Sequence, residues 1–395
     1  MTQIVKIGNI STQIRGVSYS KSDAVSNMQE GYLPVLRANN IQEQGLILED
    51  FVYVPESKVS EKQRILAGDV VIAASSGSIS LVGKAASAKE DINAGFGAFC
   101  KILRPNTELV DPRYFANYFQ TQQYRQIISN LAAGANINNL KNEHLDDLEI
   151  PLPPLAEQRR IASILDQAGE LRQKRQQAIE KLDQLLQATF IEMFGDPVSN
   201  PKGWDIGCIG DMLESVKYGS SDKATLEGEI PILRMNNLTY SGEMNLTDLK
   251  YITKVQAEEK YLVKEGDILF NRTNSKELVG KTAVYVGPEP IAYAGYLVRG
   301  RTKESFAPEY ISAFLNSPWG KEKLQSMCKS IVGMANINAK EFQSIILPIP
   351  PENEQMHFKT RVLAIREKKQ LLANQLNVFE SLFKSLQNQA FNGNL

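Results

Sequence analysis

Two long helix-forming stretches, half the chain apart and opened by the same proline signature, constrain this sequence more than any other feature. The first runs from Pro151 to Phe194. Beyond its opening PLPP it has no internal proline and is rich in Leu, Gln, Glu, Lys, Arg and Ala, the strong helix formers. Apolar residues recur in steps of three and four at Ile161, Ile164, Ala168 and Leu171, and, past an interruption at Arg175, at Ala178, Leu182 and Leu185. That spacing predicts a heptad seam on one helix about 60 Å long, which must pack on a partner rod. The second stretch, near the C-terminus, has its own seam at Val362, Ile365, Leu372, Leu376, Phe379, Phe383 and Leu386, with Lys369 interrupting. The partner is in the same chain.

The helices belong to a larger repeat. Ile150-Pro-Leu-Pro-Pro is matched by Leu347-Pro-Ile-Pro-Pro, PVLRANNI from Pro34 by PILRMNNL from Pro231, and Gly68-Asp69 by Gly266-Asp267. Leu81-Val-Gly-Lys is matched by Leu278-Val-Gly-Lys and Ala135-Asn-Ile-Asn by Ala335-Asn-Ile-Asn. Matches in the same order at one near-constant offset define two copies of a globular domain, each followed by a long helix. The expected limits are 1–150 for the first domain, 151–195 for its helix, 196–347 for the second domain and 348–395 for the last helix. If the helices run antiparallel, as a returning chain requires, the domains are held apart with pseudo-twofold symmetry.

Within each domain, short β-branched and aromatic runs (YLPVLRANNI, GLILEDFVYV, GDVVIAAS, LVGKAASA, AFCKILRP) alternate with Gly, Asn and Asp and read as a mostly antiparallel sheet or barrel. A helical patch follows from Asp111, a candidate N-cap before Pro112. The fold class is therefore α+β. No stretch approaches the run of about 20 apolar residues that spans a bilayer, and the N-terminus lacks a basic segment followed by an apolar run, so a cytoplasmic protein is expected. Cys100, Cys208 and Cys328 are scattered, and His144 and His357 are far apart, so neither disulfides nor a metal site is expected.

The order domain, helix, domain, helix, with I/L-P-x-P-P-x-x-E-Q opening each helix (Glu157-Gln158 and Glu354-Gln355), resembles the specificity subunit of type I restriction-modification systems over essentially the whole chain. The resemblance implies two target recognition domains, each reading one half of a bipartite sequence in double-stranded DNA. It implies an antiparallel coiled coil that spaces the half-sites and docks two methyltransferase subunits, with restriction/translocase subunits joining for cleavage. It also implies no catalysis and no cofactor in this chain, S-adenosylmethionine and ATP being bound by the partners.

The residues themselves fit a non-catalytic chain. Val279-Gly280-Lys281-Thr282 looks like the tail of a phosphate-binding loop, but Ser275 stands where the leading glycine is required. In the first copy Gly77 is one residue too far upstream of Lys84, and Ala85 replaces the hydroxyl. There is no N-P-P-aromatic or D-P-P-aromatic tetrapeptide of the kind an amino-methyltransferase would carry.

Two copies that read different half-sites should share what builds the fold and differ where bases are read. Arg37, Asn39, Asn40 and their counterparts Arg234, Asn236, Asn237 are thus expected to be strand-end structure, with sequence-independent phosphate contact as the alternative. Asn136 and Asn336 are expected in a structural turn. The copies diverge between the Gly-Asp and Leu-Val-Gly-Lys blocks, where Ser75, Ser76 and Ser78 face Asn271, Arg272, Thr273 and Asn274. Arg pairs with guanine and Asn with adenine in the major groove, so Arg272 and Asn274 lead the candidates, against the alternative of a solvated polar hairpin. Tyr19, Ser20, Lys21 and Tyr218, Ser220, Ser221 form a second candidate loop, with a plain surface turn as its alternative. Lys84 and Lys281, exposed on their Gly turns, complete the DNA-facing set.

Charge weighs against this reading. The chain has a net charge of −1, and residues 1–150 hold 14 basic and 16 acidic side chains against 17 and 18 in residues 205–347. DNA contact would need a local patch or a partner that supplies phosphate-binding charge. A scaffold with two β-rich heads that clamp a protein or glycan remains open on this ground, whereas a stand-alone nuclease or methyltransferase lacks its motifs.

Overall fold

Strand Val70–Ala73 and its counterpart Ile268–Asn271 are buried at every position, and a four-stranded antiparallel sheet is built around each. In the first copy the order is Ser11–Arg15, Cys100–Pro105, Val70–Ala73, Ala85–Ser87. In the second it is Leu213–Tyr218, Leu297–Thr302, Ile268–Asn271, Thr282–Val284. A smaller sheet accompanies each. Tyr32–Leu36 pairs antiparallel with Val52–Pro55 and parallel with Gly95–Phe96, and Ile230–Leu233 does the same with Lys250–Ile252 and Ala292–Tyr293. The computed structural model describes residues 3–42, 45–76, 81–134, 139–331 and 334–395. It divides into two units, Met1–Arg175 with Asn374–Leu395, and Gln176–Ala373.

The shared blocks satisfy backbone groups. Asn40 accepts a hydrogen bond from the Arg37 amide and donates to the carbonyls of Ile47 and Glu49, while Arg37 and Asn39 both bond Asp50. Asn237 repeats this with Arg234, Asn245 and Asp248, and Arg234 and Asn236 bond Asp248. These side chains hold a loop in place, as expected for structure. In the Gly-Asp block, Asp69 accepts from the Leu66 amide and takes both arms of Arg104, as Asp267 does with Lys264 and Arg301. The Val-Gly-Lys turn needs its glycine. Gly83 and Gly280 have φ of 76° and 79°. A Cβ there would meet Ile128 at 2.4 Å or Leu324 at 2.6 Å. Both glycine amides donate within the sheet, to Ala73 and Asn271, so they cradle no phosphate.

The proline-rich exits are edge strands. Glu149–Leu152 pairs with Gln3–Lys6, and Ile346–Pro348 with Ile206–Cys208. Each exit is pinned by a tyrosine, Tyr114 to the Pro151 carbonyl and Tyr310 to that of Pro348. The glutamine of each E-Q pair is buried at the start of the long helix. Gln158 accepts from the Asp111 amide at 2.8 Å and donates to Pro153 at 2.8 Å; Gln355 accepts from Ala307 at 3.2 Å and donates to Pro350 at 2.8 Å. Asp111 caps its helix through the Arg113 and Tyr114 amides, as its position before Pro112 predicts.

The long helices are Leu155–Phe194 and Glu352–Phe391, and each contributes one half to each unit. Both halves pair antiparallel. In the first unit Arg172 bonds Glu380 and lies 4.5 Å from the Phe383 ring centroid, and Arg160 reaches the Leu395 carbonyl. Phe391 enters the first core against Tyr114 and Tyr118. In the second unit Lys369 bonds Asp183 and Glu243, Arg361 meets Glu192, and Phe190 and Phe194 pack on Phe358 and Tyr310. Burial pulls the Lys369 ammonium down, but the two carboxylates outweigh it and hold the group above its ordinary value. Its contribution to stability is thus complete at neutral pH and is lost only as pH rises beyond about 10.4, the unfolded value.

On the second helix Val362, Ile365 and Leu372 are buried, and Leu376, Phe379, Phe383 and Leu386 half-buried. The first helix requires a correction. Ile161 is buried and Ile164 and Leu182 are half-buried, but Leu171 and Leu185 are 47% and 49% exposed. The inward face passes instead through Leu165, Arg172, Ile179 and Leu186, one position later, because Arg172 has a carboxylate and a ring to meet.

Replacing Gln158 or Gln355 by Ala strands a buried amide and a carbonyl at the helix start, so each should lower the unfolding free energy by about 2–3 kcal/mol. Urea denaturation of the variants measures this.

Candidate functional site

The two candidate loops of each copy, far apart in sequence, meet at one tight turn. In the first unit the turn runs from Gly97 to Cys100, closed by the Cys100 amide on the Gly97 carbonyl. The Phe99 carbonyl accepts from the Ala74 and Ser75 amides at 2.9 and 3.0 Å, so the Ser75–Ser76 loop is fixed to it. Val17 pairs with Gly97 from the other side and carries the Tyr19 segment to the same place. In the second unit the turn runs from Ala294 to Leu297. The Tyr296 carbonyl accepts from the Arg272 amide at 3.0 Å, and Gly295 donates to the Ser220 carbonyl at 2.7 Å.

A third segment joins them. Ser75 bridges to Asn139, and the corresponding Thr273–Asn274 pairs with Met334–Asn336, itself paired with Lys329–Ile331. The Asn336 amide donates to the Thr273 hydroxyl at 3.1 Å, and the Arg272 carbonyl accepts from the Ile337 amide at 2.9 Å. Asn336 is thus part of the small sheet that carries the candidate loop. The Arg272 guanidinium lies 4.9 Å from the Tyr218 ring centroid, and the Tyr218 hydroxyl accepts from the Ala339 amide. An arginine stacked in this way is pre-organised, so less side-chain entropy is lost when it binds a planar acceptor.

Some sequence candidates are not at the surface. Asn271, Thr273, Lys281 and Ser220 are buried. Asn271 ends a central strand with its amide turned inward and its nitrogen and oxygen both without a hydrogen-bond partner among the described residues. Its counterpart in the first copy is the buried Ala73, a signal available in the repeat itself. Lys281, expected on an exposed turn, donates instead to the Met235 carbonyl, and burial pulls its ammonium below the ordinary value. Ser220 bonds Asp222. The first copy differs in detail. Ser20 bonds Asp23 to close a short turn, Lys21 is exposed, and Ser75, Ser76 and Lys84 are half-buried. Burial pushes the half-buried Tyr19 phenol up, with Arg37 opposing. Ser78 and Asn136 lie outside the described residues. Tyr218, Ser221, Arg272 and Asn274 retain exposed or half-exposed side chains.

Two residues escaped the sequence reading. Phe99 and Tyr296 occupy the same place in the two turns and are 68% and 52% exposed. Among the described residues there is no cluster of three or more His, Cys, Asp or Glu side chains able to hold a metal, and no helix long and apolar enough to cross a membrane.

Asn271→Ala, which installs the residue of the first copy, should leave DNA affinity of the assembled protein within about twofold, because the amide is buried away from any surface. Filter binding or fluorescence anisotropy checks it.

The type I restriction modification DNA specificity domain family matches residues 2–181 and 201–389, once for each copy. The specificity subunit of the type I restriction enzyme EcoKI of Escherichia coli K12 is 32% identical, with 99% of this chain and 89% of that protein covered. The StySPI specificity subunit of Salmonella potsdam is 31% identical over 98% of this chain and 88% of its own. Among solved structures, the type I S subunit from M. genitalium superposes with a TM-score of 0.59 at 15% identity, covering 99% of this chain and 96% of that one. A chain of a type I R-M system gives 0.55 at 18% identity, covering 100% and 98%. These likenesses carry the fold.

Proposed function

The chain belongs to the type I restriction-modification DNA specificity family, and from that premise we propose that it is the non-catalytic subunit that gives such a complex its DNA sequence specificity. Each globular domain reads one half of a bipartite, gapped site. The observation that carries this is the meeting of two loops at one turn in both copies. The surrounding framework is held by shared side chains, while the loops present unlike ones, Ser75 and Ser76 against Arg272 and Asn274. Shared scaffold with divergent hydrogen-bonding tips is what two readers of different base sequences require.

The long helices set the spacing and dock the partner subunits. Their seam residues face inward, but each unit leaves apolar side chains on the outside: Leu171, Val378 and Leu382 in the first, Leu185, Leu363 and Leu371 in the second. These exposed apolar side chains on each unit support docking of two methyltransferase subunits, one to a unit. S-adenosylmethionine and ATP belong to the methyltransferase and the restriction/translocase subunits, and the complex works in the cytoplasm.

The deciding experiment is a genome-wide adenine methylation map of cells expressing the chain with its methyltransferase subunit, against cells lacking only the chain. A gapped two-part motif that depends on the chain is expected. No chain-dependent methylation with the partner folded and bound would instead favour the scaffold with two protein- or glycan-binding heads.

Arg272→Lys keeps the charge and removes the bidentate fork. It should cost about 1–3 kcal/mol of discrimination at one base pair of one half-site and leave the other half-site intact; methylation maps of the variant show which position relaxes. Inserting one helical turn into both long helices should lengthen the spacer by one or two base pairs with both half-sites unchanged, since a turn rises about 5.4 Å and a base-pair step about 3.4 Å. A changed half-site with a fixed spacer would sink the ruler.

A further inference from the structure

We propose that Phe99 and Tyr296 are base-contacting residues, one in each recognition domain, whose rings pack against the bases of their own half-sites. The inference rests on the DNA-reading function above and names an aromatic contact within it.

Nothing in the fold calls for an aromatic ring at these positions. Each turn already supplies a ring to the interior three residues earlier, where Phe96 and Tyr293 are fully buried. Phe99 and Tyr296 are the third residue of turns closed by the Cys100 and Leu297 amides, a position that accepts most residue types. Neither lies in the left-handed region. An isolated exposed ring is ordinary on a protein surface. Here the ring recurs at one structural position in two copies whose neighbouring loops have diverged, and that recurrence is what needs a cause.

The surroundings supply it. In both copies the carbonyl of the aromatic residue accepts from an amide of the candidate reading loop, Ser75 or Arg272. The ring is therefore held at a fixed offset from the side chains that discriminate bases. In the second unit Arg272 and Tyr218 stand beside it as a stacked cation and ring. An apolar face next to hydrogen-bonding side chains is matched by the bases of double-stranded DNA. A ring there packs on a thymine methyl, or enters a partly opened base step as a wedge. Phosphate oxygens offer the Phe99 ring nothing, and the one phosphate bond open to Tyr296, through its hydroxyl, is removed by Tyr296→Phe. Because both copies carry the ring, the contact is one that two different half-sites can both offer, and it is insensitive to salt.

The test uses the full chain assembled with its methyltransferase subunit, bound to a duplex carrying the mapped motif and to a scrambled duplex, across a salt series. Phe99→Ala and Tyr296→Ala should each weaken motif binding by about tenfold or more, as loss of a base–aromatic contact does. Phe99→Tyr and Tyr296→Phe should stay within about twofold. The slope of log affinity against log salt should not change, because no phosphate contact is removed. Alanine variants that assemble normally and bind the motif within twofold of the unsubstituted complex overturn the inference. So do alanine variants that fail to assemble or melt at a lower temperature, since the rings would then be structural. If the unsubstituted complex does not prefer the motif over the scrambled duplex, the DNA-reading function itself falls and takes this inference with it.

Discussion

The ion pairs in the helix seam of each unit match opposite charges only if the two helix halves in that unit run antiparallel. Arg172 meets Glu380 in the first unit and Lys369 meets Asp183 in the second. Arg172 and Lys369 are counterparts in the repeat, 197 positions apart, and so are Asp183 and Glu380. Superposed in parallel, the two helices would bring cation against cation and carboxylate against carboxylate. Only the antiparallel pairing joins opposite charges at these buried and half-buried positions. A polar residue in an apolar seam lowers stability relative to leucine but excludes alternative registers, where it would be stranded without a partner.

The repeat preserves the side chains that satisfy buried backbone. Asn40 and Asn237 close a loop, Asp69 and Asp267 take an arginine fork, and Gln158 and Gln355 tie each long helix to the domain before it. Each would leave a buried donor or acceptor unpaired if lost, at about 1–3 kcal/mol apiece, which keeps such residues alike while surface residues drift. The candidate reading tips carry no such burden. Ser75 can be replaced by Thr273 and Phe99 by Tyr296 because the backbone bonds that hold them come from their own amides and carbonyls. That separation lets one framework present two different hydrogen-bonding surfaces.

The domain order, the sheets and the second helix's seam were legible because they rest on patterns that a sequence displays directly. The first helix's seam was not. Ile161, Ile164, Ala168, Leu171 and Ile161, Leu165, Ala168, Arg172 are equally good heptad paths, and apolarity alone selects the one with one more hydrophobic residue. Arg172 belongs inside only because Glu380 and Phe383 are there to receive it, a fact about the partner helix. Asn271 looked like a reader because it is polar and adjoins a divergent loop. Its alignment with Ala73, at the end of a strand buried at every position, places it in the core. The N-terminal strand Gln3–Lys6 went unread because its partner, the proline-bearing exit strand, is more than a hundred residues away.

The near-neutral charge of both domains now has a place in the recognition scheme. Long-range attraction to DNA scales with the number of phosphates neutralised and carries little sequence information. A chain with a net charge of −1 contributes little of it. Its half-exposed Arg272, stacked on Tyr218, and its exposed rings at Phe99 and Tyr296 suit short-range contact instead. Under the function proposed here, a subunit that reads without attracting gains discrimination from every contact it makes. Non-specific affinity then comes from the subunits that hold the duplex, and a mismatched site leaves the reading subunit with nothing to compensate the lost stacking and hydrogen bonds.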